Sequence, residues 1–204
     1  PQHTLIVGGR EWNSIGGLQN MYPLADSNLI YTFHFYDPMI FTHQGATWVG
    51  NAVATQGIPF PYNAATMPAM NAAATGTWGE NAYNDYDIYG NAATLANAVG
   101  AAKNWSNAHQ LPINCGEWGS YKPFIPNDGS RCRYTEAVKG ILDSLSIPFT
   151  YWEWNEGFSL FDGAPAINNL EQCMADIWGI NIINIEAPIT AKLSLYPNPV
   201  SDKL

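Results

Sequence analysis

Four short apolar runs, each breaking off at glycine or polar residues, constrain this chain more than any other feature of its sequence. They are Thr4-Leu-Ile-Val-Gly8, Leu29-Ile-Tyr-Thr-Phe-His-Phe-Tyr36, Leu111-Pro-Ile-Asn-Cys-Gly-Glu117 and Pro148-Phe-Thr-Tyr-Trp-Glu-Trp154. Runs of this length with little polar alternation read as strands buried in a parallel sheet. Helix-forming stretches lie between and after them. Ser14 can cap a short helix toward Met21, residues 91–108 are Ala-rich, residues 131–146 place Tyr134, Val138, Ile141, Leu142 and Leu145 at helical spacing, and residues 166–178 close the series. Strands alternating with helices predict a parallel α/β sheet. Residues 37–90, rich in Ala, Asn, Gly and Pro, form a long excursion; one of that size in a compact domain is functional or carries short helices of its own.

Composition narrows the partners. Of 204 residues, 17 are acidic and 8 basic, so the net charge of -9 argues against nucleic acid, whose phosphates demand a cationic face. No apolar run approaches the roughly 18 residues of a membrane span. Pro1-Gln2-His3-Thr4 has neither the charged start nor the cleavage site of a signal peptide and reads as a start in mid-protein. Cys115, Cys132 and Cys173 lack metal-site spacing. They read as buried or incidental thiols, with one bridge possible, and their odd number leaves at least one unpaired within the chain. No metal or other cofactor is implied. Abundant Trp, Tyr, Asn and Gly suit a neutral, hydroxyl-rich ligand, although an ordinary aromatic core has the same composition.

Ionisable side chains gather at the strand ends, where parallel barrels carry their active sites. His34 and Tyr36 are two apart on one strand and therefore share a face. Glu117 ends the third strand after a glycine, with Trp118 next. On the last run, Trp152 and Trp154 are expected on one face and Glu153 on the other. A carboxylate, a His-x-Tyr pair and tryptophans suit glycoside hydrolysis: the carboxylate attacks the anomeric carbon, a phenol orients it, and indole faces carry the sugar. His3, His43 and His109 read as satisfied loop or helix histidines.

Several strings in order resemble the cellulases of glycoside hydrolase family 5. They are Leu5-Ile-Val-Gly-Gly9 with Trp12-Asn-Ser14, Ile30-Tyr-Thr-Phe-His-Phe-Tyr-Asp-Pro38 with Phe41-Thr-His-Gln-Gly45, Cys115-Gly-Glu-Trp-Gly119, and Thr150-Tyr-Trp-Glu-Trp154 with Gly157-Phe158. The resemblance spans residues 3–178. It implies a bacterial, secreted or cell-surface retaining endo-β-1,4-glucanase with Glu117 as nucleophile, His34 and Tyr36 beside it, and Trp152 under the subsite next to the scissile bond; Trp154, Trp118 and Trp48 are further candidates for binding substrate. Arg131 matches a structural family position.

One part of the family pattern is missing. The acid/base glutamate of an Asn-Glu-Pro string has no counterpart, since Asn155-Glu156-Gly157 lies beyond the last strand and lacks the proline. The expectation is therefore the C-terminal half, strands five to eight, of a (β/α)8 TIM barrel over residues 1–179, completed by an N-terminal half. No second carboxylate of this chain is expected within about 5–6 Å of Glu117, since a retaining pair must sit that close. Alternatives are a non-catalytic carbohydrate-binding fragment, or a β-mannanase or other β-glucanase of the family. Residues 180–204 read as a linker and tail, in which Leu195-Tyr-Pro-Asn-Pro-Val-Ser-Asp202 resembles the start of a Bacteroidetes-type secretion sorting domain.

Overall fold

The computed structural model describes residues 3–180. The sorting-tail resemblance, and all of the expected linker beyond Ile180, lie outside the described residues. Four parallel strands form one sheet in sequence order: β1 (Leu5–Gly8), β2 (Leu29–Phe35), β3 (Ile113–Trp118) and β4 (Phe149–Tyr151). The parallel α/β expectation is thus met.

Between β1 and β2 lie the turn α1 (Arg10–Asn13), in which Glu11, Trp12 and Asn13 all have positive φ, and the helix α2 (Ile15–Gln19). Ser14 caps α2 as expected, its Oγ accepting from the Gly17 amide at 2.9 Å and satisfying a first-turn donor. The excursion after β2 holds α3 (Met39–Thr42), α4 (Trp78–Asn84) and α5 (Tyr86–Tyr89). Then follow α6 (Ala92–His109), α7 (Ser130–Ser144) after β3, and α8 (Gln172–Trp178) after β4. Asn91 caps α6 by accepting from the Thr94 amide at 3.0 Å.

The core lies between the sheet and its long helices. Tyr31, Phe33 and Phe35 of β2 pack with Leu95 and Val99 of α6 and with Tyr134, Val138 and Leu142 of α7, all buried. Alternation sends the other β2 residues, Thr32 and His34, to the opposite face.

A register shift decides what β3 presents. Phe33 pairs with Cys115, but the next residue, His34, pairs with Glu117, so Gly116 is the extra residue of a bulge. A one-residue slip exchanges the faces of every following side chain. Cys115 is fully buried beside Phe33; beyond the bulge Glu117 stands beside His34, and Trp118 beside Phe35 in the core. Only glycine serves here, because a Cβ at position 116 would lie 2.5 Å from the Thr32 hydroxyl.

Three expectations need correction. The last strand stops at Tyr151 instead of reaching Trp154, so alternation does not extend through this stretch. Cys132 and Cys173 are disulfide-bonded, tying α7 to α8 and leaving Cys115 as the buried free thiol; the odd count permitted this single bridge. The helix expected over 166–178 begins only at Gln172, after a 3-10 turn at Ile167–Asn169. No helix among the described residues is long and apolar enough to cross a membrane.

Arg131 is buried at the start of α7. Its guanidinium donates to Glu171, to the Phe158 and Ser159 carbonyls, and to the Tyr151 hydroxyl at 3.2 Å. It therefore braces the β4 exit against α8, consistent with a structural role.

Candidate active site

Strand ends and the loops beyond them enclose a cleft of about 1290 Å³. On its floor, Glu117 Oε2 accepts from the Tyr36 hydroxyl at 3.1 Å and lies 3.3 Å from His34 Nδ1. A carboxylate can only accept, so the proton in the second contact belongs to the imidazole. The far ring nitrogen of His34 meets the Asn13 side-chain amide at 3.2 Å. Three residues singled out in sequence are thus brought together, with His34 of β2 and Tyr36 just past its end both in contact with Glu117 of β3.

Their protonation states follow from their surroundings. Burial raises the Tyr36 pKa well above the ordinary phenol value, and the Glu117 charge raises it further. Tyr36 is therefore held as a donor. Burial lowers the His34 pKa, against an opposing pull from Glu117, which favours the neutral ring. The Tyr36 hydroxyl donates to one carboxylate oxygen and the His34 ring stands beside the same oxygen, which orients it for attack on an electrophilic carbon.

Aromatic side chains rim the cleft. Trp48 and Trp152 border it with 60% and 42% of their surface exposed, leaving indole faces open for a flat ligand. Trp118 does not contribute. It is fully buried against Phe149, Tyr151 and Trp178, because the Gly116 bulge turns it from the cleft. Nor does Trp154, which lies outside the cleft against the Phe161 ring, since β4 ends before alternation could carry it inward.

The cleft also holds residues that sequence reasoning passed over. Glu153, expected on the opposite face from Trp152, borders the same cleft, as do Glu156 and Glu11. Burial raises the Glu153 pKa, and the Glu156 charge adds to the rise. Among the described residues no carboxylate is hydrogen-bonded to Glu117. Asn13, Trp78 and His43 also line the cleft. Of these, Asn13 stood in a recognisable Trp-Asn-Ser string, whereas nothing in the local sequence separates Trp78 from a core aromatic.

The profile of the cellulases of glycosyl hydrolase family 5 matches residues 1–158. The chain belongs to this family. Among curated family relatives, Endoglucanase 3 of Fibrobacter succinogenes is 30% identical over 182 residues, covering 85% of this chain and 27% of that protein. Endoglucanase C of Acetivibrio thermocellus is 27% identical over 155 residues, covering 74% of this chain and 43% of that protein. The family resemblance extends to the fold. Endoglucanase Cel5A of Thermotoga maritima superposes with a TM-score of 0.65 at 24% identity, over 87% of this chain and 48% of that one. The chain thus spans less than half the length of these family relatives.

Proposed function

We propose that this chain supplies the nucleophile side of a retaining endo-β-1,4-glucanase active site. Glu117 attacks the anomeric carbon and the glycosidic C–O bond breaks, the leaving oxygen taking its proton from the acid/base; Tyr36 and His34 orient the carboxylate, and Trp152 and Trp48 are sugar platforms. The observation that carries this reading is the convergence of the Tyr36 hydroxyl and the His34 ring on one Glu117 oxygen at the floor of an aromatic-rimmed cleft. In the second step, water hydrolyses the glycosyl ester and restores the carboxylate.

The acid/base belongs to polypeptide that continues the sheet beyond β1, making residues 1–179 strands five to eight of a barrel. The exposed apolar edge of β1 supports this, with Leu5 and Ile6 53% and 62% exposed. The Cys132–Cys173 bridge suits an oxidising compartment, in line with a secreted or cell-surface enzyme.

Glu117→Gln in the complete enzyme tests the assignment. Turnover of carboxymethylcellulose is expected to vanish while oligosaccharide affinity persists. A loss of only a few-fold in kcat would move the nucleophile elsewhere. Glu153→Gln and Glu156→Gln are the competing variants, because both side chains border the cleft. If either abolishes turnover and azide rescues it with a β-glycosyl azide as product, the acid/base lies in this chain and the half-barrel reading fails.

A further inference from the structure

A second hollow, of about 360 Å³, lies beside the cleft and shares Asp37, Met39 and Trp78 with it. Its other walls belong to Pro38 and to α4, α5 and α6, so all of them come from residues 37–98 of this chain. Pro38, Met39, Ala82, Leu95 and Ala98 give it an apolar surface, and Trp78 and Tyr86 add aromatic rings. A space of this size with largely apolar walls suits one small organic group.

The polar atoms of the wall decide which kind of group. Tyr86 Oη donates to the Pro59 carbonyl at 2.8 Å and Thr94 Oγ1 to the Ile88 carbonyl at 3.2 Å, so both hydroxyls already have acceptors. The Asp37 carboxyl, on the side shared with the cleft, is exposed and makes no hydrogen bond among the described residues. Beyond it, the wall offers the indole N–H of Trp78 and the hydroxyl of Tyr89, both on half-exposed residues. A sugar ring, hydroxylated at most of its carbons, would lose more hydrogen bonds to water here than these groups replace. A flat aromatic ring loses none by entering, and a hydroxyl on that ring has Asp37 to donate to.

We propose that this hollow binds a phenolic ring, beside the path of the glucan and not on it. The site stands on its own walls; delivery of the ring as a substituent of the glycan rests on the glycan-hydrolysing reading above.

The test uses the complete enzyme carrying Glu117→Gln, so that cellotetraose binds without turnover. Titration with 4-ethylphenol should move the Met39 methyl resonance with a Kd of about 1 mM, within the per-atom limits for so small a ligand. Saturating cellotetraose should leave the phenol bound. Ala98→Trp and Ala82→Phe fill the hollow from two different helices; each should weaken phenol binding about 10-fold or more and leave cellotetraose affinity within about twofold. An unmoved Met39 methyl, displacement of the phenol by cellotetraose, or full phenol affinity in either folded variant overturns the proposal. A cellotetraose carrying a 4-hydroxybenzoyl ester separates the two sources of the ring. Tighter binding than the bare sugar's places the ring on the glycan, and equal binding assigns the hollow to free phenols. If the parent binds 4-ethylphenol but not cellotetraose, the glycan reading fails and the hollow's assignment stands.

Discussion

The centre of the sheet and its first strand are built from similar apolar residues but end in opposite states. In β2 and β3, Tyr31, Phe33, Phe35, Cys115 and Trp118 are buried to within a percent of completely. In β1, Leu5 and Ile6 are more than half exposed, and the turn that follows runs through three left-handed residues ending at Asn13. The nucleophile candidate and its two donors stand on the first of these regions, whereas Asn13, which reaches His34, stands on the second. The proposed nucleophile is therefore mounted on a well-buried pair of strands, and Asn13 reaches its neighbour His34 from a sparsely packed side.

The sharpest way to break this contrast is at Trp118. Trp118→Ala should cost about 3–5 kcal/mol in chemical denaturation, the range for truncating a large buried aromatic. Trp12→Ala, at a residue 92% exposed, should stay within about 0.5 kcal/mol of the parent. Equal effects would mean that the two regions are equally well packed.

The Cys132–Cys173 bridge closes a loop across 41 residues behind the active face. Replacing both cysteines with serine should lower stability by about 2–4 kcal/mol. At temperatures where the variant stays folded, kcat should be unchanged; a large fall there would tie α8 to the chemistry.

Tyr36→Phe addresses the rigid region's function. It removes the donor to Glu117 and little volume, so kcat should fall about 10–1000-fold with the melting temperature nearly unaltered. An unchanged rate would make Tyr36 a packing residue.

The smallest effect is expected at the edge. Ile6→Lys should be nearly neutral in this chain alone, but in the complete protein it should cost about 1–3 kcal/mol, because a charge would then be buried at a strand interface. The same small effect in both settings would show that nothing covers β1.

What was legible in the sequence follows the same division. The β2 strand could be read because Leu29 to Tyr36 is a nearly continuous apolar run, and the two-residue period of a strand put His34 and Tyr36 on one face. Glu117 was found by its position and motif, but the reason it faces His34 was not. A bulge is a property of the pairing between two strands, and Gly116 alone does not announce one. The same hidden bulge sent Trp118 into the core. On the last run, Trp154 and Glu153 were misplaced because alternation was carried past Tyr151, where the strand ends.

The central claim, that Glu117 forms the covalent glycosyl intermediate, can be tested by trapping. A 2-deoxy-2-fluoro-cellobioside with a good leaving group slows breakdown of the glycosyl ester, so the complete enzyme should be inactivated and gain one sugar adduct by mass spectrometry. Peptide mapping is predicted to find that adduct on the fragment containing Cys115-Gly-Glu-Trp-Gly119, at Glu117. An adduct on Glu153 or Glu156, or outside this chain, would contradict the account.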